Sequence, residues 1–148
     1  MVSRPSQKLP VAEARDVLRA TGLRCTAARV AVLQCLNEEP TPLTHAEVTE
    51  RLQEFGFDAS TIYRCLTELA DTNLLSRLDL GDGIRRFELM KRSGVGISVH
   101  PHFMCVDCGK IFCLGEFQVE LVARQKGIVA PGEVTEALLK GHCAKCQN

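Results

Sequence analysis

The sequence predicts an α+β protein of two small parts: short helices ending in a hairpin over residues 1–90, in the layout of a winged helix-turn-helix, then a strand-rich α/β part over residues 91–148. Three observations carry this. Apolar residues recur at helical spacing up to Asn73, alternating runs flank the turn Gly81-Asp82-Gly83, and two Cys-x-x-C pairs bracket the second part.

In LPVAEARDVLRATG, the positions Val11, Ala14, Val17 and Leu18 give one helical face, and Gly22 is a natural stop. Thr26 can cap TAARVAVLQCL, whose Val30, Leu33 and Leu36 form a stripe that Pro40 and Pro42 terminate. A third helix begins at THAEVTERLQEFG: Thr44 and Glu47 stand at capping-box spacing, Val48, Leu52 and Phe55 make its apolar face, and Gly56 closes it. In the fourth, STIYRCLTELADTN, burial of Ile62, Leu66 and Leu69 turns Thr61, Tyr63, Arg64 and Thr67 outward. Alone, such a face is more often solvated surface than a nucleic-acid reader. The run LLSRLDLGDGIRRFELM then makes a hairpin, and KRSGVGIS, with two glycines and two cations, is expected as a hinge at about residues 90–99. Beyond it the pattern predicts a strand, a knuckle, a strand, a helix over FQVELVARQKG and a last strand over VTEALL.

A chain of 148 residues with 45% apolar and 24% charged residues is long enough for a real core and too apolar for disorder. Its start lacks an apolar stretch of signal-peptide length, and no segment approaches the roughly 18 apolar residues of a spanning helix, so a cytoplasmic location without membrane contact is expected. The net charge is zero, and each part is neutral too: 13 basic against 13 acidic residues up to Arg92, then 5 against 5. A nucleic-acid surface must come from the arrangement of charge and not from its excess.

Eight cysteines in such a compartment favour metal binding or redox chemistry over disulfides. Cys105 with Cys108, and Cys143 with Cys146, can form one tetrahedral four-cysteine zinc site of the structural kind, which would staple a region of marginal core. The alternatives are cysteines as small core residues and a thioredoxin-like redox pair; the latter needs a strand-to-helix setting that Cys105–Lys110 does not offer.

His100 and His102 lie two apart, so on a strand both imidazoles leave one face and Cys105 leaves the other. Pairing back through the knuckle sets Met104 opposite Cys113 and brings Cys113 near His102. His45, in the first turn of the third helix, is kept neutral by the helix dipole, as a ligand must be. Glu88 ends the hairpin just before the hinge. A second metal held by His100, His102 and Cys113, with Glu88 or His45, would tie the two parts together. Against this, His45 can be an ordinary surface residue, Glu88 a solvated one and Cys113 a buried hydrophobe.

The residues from LRCTAARVAVL through DASTIYRCLTELADTNLL and LGDGIRRFEL to HPHFMCVDCGKI and GHCAKC resemble the ferric uptake regulator superfamily of bacterial repressors. The resemblance spans nearly the whole chain. It implies a homodimer with a winged-helix DNA-binding domain and a small α/β dimerisation domain, structural zinc on Cys105, Cys108, Cys143 and Cys146, and a regulatory metal at the hinge. Sensory ligands would fall on Glu88, His100 and His102, and DNA contacts on Tyr63 and Arg64, with Arg29 on the backbone. Thr67 would enter the groove beside them, and Arg24, Arg85 and Arg86 could hold phosphates. Two departures matter. Pro42 stands where the family often has histidine, with His45 three residues on as a replacement, and Cys113 stands where iron and peroxide sensors carry an acid.

Two imidazoles, a thiolate and a carboxylate suit Zn(II) better than Fe(II) or Mn(II), so the expectation is a zinc-responsive repressor with metal as corepressor on a palindromic double-stranded operator. An iron- or peroxide-responsive member is the alternative, with Cys113 then an oxidisable thiolate. From another class, the rivals are a zinc-dependent hydrolase and a thiol oxidoreductase. His45-Ala46-Glu47 matches half of a deaminase motif, but no cysteine pair follows a proline, so no enzyme is expected.

Overall fold

The structure, a computed structural model, describes residues 8–90, 92–93, 96–97, 100–134 and 136–147. The chain divides into two compact units, Met1–Arg92 and Ser93–Asn148.

The first unit opens with α1 (Val11–Ala20), which runs into Gly22 at φ +77°. The hydroxyl of Thr26 caps α2 (Ala27–Glu38) by accepting from the Arg29 amide, and the helix stops before Pro40. A two-residue strand that the sequence pattern did not reveal, β1 (Leu43–Thr44), leads into α3 (His45–Arg51). The expected capping box is complete there: the Glu47 amide donates to Thr44 Oγ1 at 3.2 Å, and the Thr44 amide donates to Glu47 Oε2 at 2.7 Å. The third helix is shorter than its periodicity predicts. A 3-10 turn, Gln53–Phe55, follows it, and Gly56 closes that turn at φ +73°. The tighter winding takes Phe55 off the apolar face; it is 58% exposed and stacks on Phe57.

Helix α4 (Ala59–Asp71) is capped by Asp58, whose Oδ1 accepts from the Thr61 amide at 2.8 Å. Next, β2 (Leu75–Asp79) pairs antiparallel with β3 (Arg85–Leu89) in the register Leu75↔Leu89, and β1 adds to the other edge of β3. Ile62, Leu66 and Leu69 of α4 join Val32, Leu33, Val48 and Phe87 in one buried cluster, which is the core of this unit.

The segment expected as a hinge contributes β4 (Arg92–Ser93) and β5 (Gly96–Ile97), which pair as a two-stranded ribbon. Its other positions lie outside the described residues.

The second unit is built on β6 (His102–Cys105), with β7 (Ile111–Cys113) antiparallel on one side and β8 (Leu138–Gly141) parallel on the other. Gly141 permits the close approach of β8, since a Cβ there would stand 3.1 Å from the Phe103 ring. Three expectations are corrected. The register sets His102, not Met104, opposite Cys113, because the knuckle from Cys105 to Lys110 is closed by the Cys105 amide donating to Lys110 O at 2.9 Å. No helix forms over residues 117–127, where the chain runs in turns and coil. The last strand begins four residues later than VTEALL suggests. Phe117, Leu121 and Val122, the apolar side of the expected helix, are 62%, 67% and 79% exposed. Short helices draw most of their stability from burying such a side, and among the described residues nothing covers it.

Candidate metal centres and nucleic-acid interface

Strand β6 serves two sites because its ends differ in parity. Cys105 ends it pointing one way, and His102 begins it pointing the other.

Cys105 and Cys108 flank the β6–β7 knuckle, and Cys143 and Cys146 follow β8, which lies directly beside β6. Both pairs fold as tight turns: the Gly109 amide donates to Cys105 O at 2.9 Å, and the Cys146 amide to Cys143 O at 2.8 Å. The four sulfurs lie within 4.8 Å of one another, and Cys108 Sγ stands 3.9 Å from Cys143 Sγ. That is nearly twice a disulfide bond, whereas thiolates about 2.3 Å from a tetrahedral zinc sit about 3.8 Å apart. The donor set therefore fits zinc. Amides of Cys108 and Cys143 hold the Cys105 thiol down to about 6, so it is readily deprotonated as a ligand must be. Beside the sulfurs, Asp107 Oδ2 and His142 Nδ1 meet at 2.5 Å, joining the two knuckles, and this carboxylate raises the His142 pKa. Neither residue was singled out from the sequence, since only the folding of one knuckle onto the other makes them neighbours.

On the opposite side of β6, His102 is 2% exposed and pairs directly with Cys113. The His100 and His102 rings lie 4.8 Å apart at 52°, and the ligand atoms of His100, His102 and Cys113 lie within 4.8 Å of one another. Two imidazoles and a thiol converging at this distance form a borderline-soft donor set with room for one further ligand. Glu88 lies in β3 of the first unit, half-buried.

His45 belongs to neither cysteine-bearing group. Its Nε2 is 2.7 Å from Ala59 O, and its ring meets Tyr63 edge-on at 5.5 Å and 81°.

The outward face of α4 carries Tyr63 and Arg64, both exposed, and Thr67, half-buried. Arg24 is exposed. Arg29 is not free on that surface: its Nε donates to Glu68 Oε2 at 3.1 Å, its Nη2 pairs with the same oxygen, and its Nη1 donates to Arg24 O at 2.8 Å. Arg86 is likewise engaged, by Asp82 at 2.8 Å, while Arg85 is exposed. No helix among the described residues is long and apolar enough to cross a membrane.

A family model described as the Ferric uptake regulator family matches residues 20–135. The ferric uptake regulation protein of Escherichia coli strain K12 is 30% identical over 135 residues, 86% of each chain. That of Legionella pneumophila is 34% identical over 143 residues, covering 91% of this chain and 99% of the relative. Among solved structures, a zinc uptake regulator complexed with zinc and DNA superposes with a TM-score of 0.61 at 20% identity, over 98% of this chain and 97% of that one, a likeness of fold.

Proposed function

The chain belongs to the ferric uptake regulator family of metal-responsive transcription regulators, and we propose that it is a zinc-responsive repressor that binds an operator as a homodimer. The observation that carries this reading is the register His102↔Cys113, which gathers two imidazoles and one thiol into a second donor set, separate from the four cysteines.

In this reading, the first unit is a winged helix. Helix α4 enters the major groove, Arg64 makes a bidentate contact to a base edge, Tyr63 and Thr67 lie beside it, and Arg24 and Arg85 hold phosphates. The second unit is the dimerisation domain. Its exposed apolar residues Phe117, Leu121, Val122, Ile128 and Val129 support a second copy as their cover. Two symmetry-related reading helices imply a palindromic duplex.

Cys105, Cys108, Cys143 and Cys146 hold structural zinc with no open position, which suits a staple and not a hydrolase. His100, His102 and Cys113 hold the regulatory ion, with Glu88 as the further ligand that the family resemblance implies. Metal then acts as corepressor if it binds the DNA-competent state more tightly, and an affinity ratio of about 100 would supply roughly 2.7 kcal/mol. That the family consists of transcription regulators supports a non-enzymatic role over the hydrolase and oxidoreductase alternatives. The ferric uptake regulation proteins among the relatives favour Fe(II) as a second reading of the same site.

One paired titration tests metal choice. Wild type and Cys113→Asp, both retaining structural zinc, are titrated anaerobically with Zn(II), Fe(II) and Mn(II) while operator binding is followed by anisotropy. The wild type should respond to Zn(II) at far lower free metal than to Mn(II), and the aspartate should narrow that gap by at least about tenfold, or 1.4 kcal/mol. An unchanged gap would remove Cys113 from the site and bring the iron reading forward.

A further inference from the structure

We propose that His45 is a positioning residue for the DNA-reading helix, holding the first turn of α4 and the ring of Tyr63, and is not a metal ligand; this rests on the DNA-binding reading of α4.

Three observations converge on His45. It opens α3, where the Thr44–Glu47 capping box fixes the backbone from which the imidazole departs. Its Nε2 reaches Ala59 O, at the first residue of α4, at 2.7 Å. The same ring meets Tyr63 edge-on at 5.5 Å and 81°. Together with Ala59, Ser60, Tyr63 and Arg64 it lines a shallow groove of about 310 Å³.

The chemistry assigns the tautomer. A carbonyl oxygen only accepts, so Nε2 carries the proton and is engaged by Ala59 O, and among the described residues His45 lies in neither cluster of side chains that could hold a metal. The Ala59 carbonyl already lies in the first turn of α4, and its second lone pair is what His45 takes. The imidazole thus grips the helix at its backbone and at the side chain one turn on. Edge-to-face contact restricts the phenol, whose ring borders the groove shared with Arg64. Preset side chains lose less freedom on docking, so the contribution falls on the sequence-specific complex and little on non-specific binding, which is governed by charge.

Tyr63 is the chain's one tyrosine and there is no tryptophan, so intrinsic emission reports this contact alone. Wild type, His45→Ala, His45→Phe and His45→Gln, each checked for intact helix content, would be compared in two arms. In the DNA-free arm, acrylamide quenching of Tyr63 should rise and its anisotropy fall in His45→Ala. His45→Phe, which keeps a ring edge, should stay nearer wild type than His45→Ala. In the second arm, the probe is a duplex selected from a random pool by the metal-loaded wild type. His45→Ala should bind it about tenfold more weakly while binding to a scrambled duplex changes less than about twofold, and the response to metal should occur at unchanged free Zn(II).

Unchanged emission in His45→Ala, or equal losses on both duplexes, overturns the inference. A loss of Zn(II) affinity in His45→Ala as large as in His102→Ala returns His45 to the metal site. A wild type that enriches no sequence sinks the DNA-binding reading itself; the emission arm then decides the contact to Tyr63 independently.

Discussion

Arg29 directs its guanidinium inward, with only 15% of the side chain exposed, and ties α2 to α4 through Glu68. The family resemblance implies a DNA-backbone contact at this position. Its partner lies 39 residues away, and no local pattern announces it. His45 was obscure for the same reason, its carbonyl acceptor being 14 residues on. Ligand types were easier to find, since Cys-x-x-C and His-x-His carry their geometry in their spacing. Glu68 is nearly half exposed, so solvent weakens the Arg29 pair, and Arg29→Ala should lower stability by only about 1 kcal/mol in urea denaturation. The slope of log affinity against log salt should stay at the wild-type value in the same variant. A fall of about 0.9 would restore Arg29 as a phosphate contact.

The helices of the first unit were legible because they are specified locally, by a 3.6-residue period and, in α2 and α3, by the caps Thr26 and Thr44. Strand partners were less so. The two-residue strand β1 has no period of its own, and β8 pairs in parallel with β6 across the long β7–β8 connection. The β6–β7 register moved by two residues, which preserves the face, so the association of Cys113 with the histidines survived the error. The expected helix over 117–127 failed because amphipathic spacing needs a covering surface before it becomes a helix. The β2–β3 hairpin offers an acid test of local design. At its turn, Asp82 accepts from the Arg86 guanidinium and from the Ile84 amide, and these bonds lower its pKa from 3.8 to about 2. A depressed carboxylate stabilises the folded state fully above its unfolded pKa, and that contribution is lost as pH falls from about 4 through 2. Carboxyl carbon NMR should show Asp82 titrating near 2, and Asp82→Asn should flatten the acid limb of stability. A normal midpoint would mean that the turn is not held by this pair.

Across the whole molecule, the two units keep their folds by different means. The first has an extended buried cluster from Ala14 to Phe87. In the second, the buried apolar residues among those described are Pro101, Cys105, Ile111 and Cys143, and two of these four are proposed zinc ligands. A region of this size with so small a core cannot offset its conformational entropy by burial alone. Closed zinc sites contribute on the order of 10 kcal/mol, enough to reverse that balance. Chelation should therefore split the chain's behaviour. After zinc removal, or in Cys143→Ser, amide exchange should accelerate throughout β6, β7 and β8, while α2 and α4 keep their protection, because their core holds no ligand. Native mass spectrometry should register the loss of one zinc and, with the second unit unfolded, of the dimer. Regulatory titrations must for this reason leave the four-cysteine zinc in place: a chelator strong enough to strip it would abolish DNA binding by dissolving the dimer, and would say nothing about His100, His102 and Cys113. If β6 to β8 remain protected in a zinc-free chain, the second unit has a source of stability beyond its sulfurs, and the staple assignment fails.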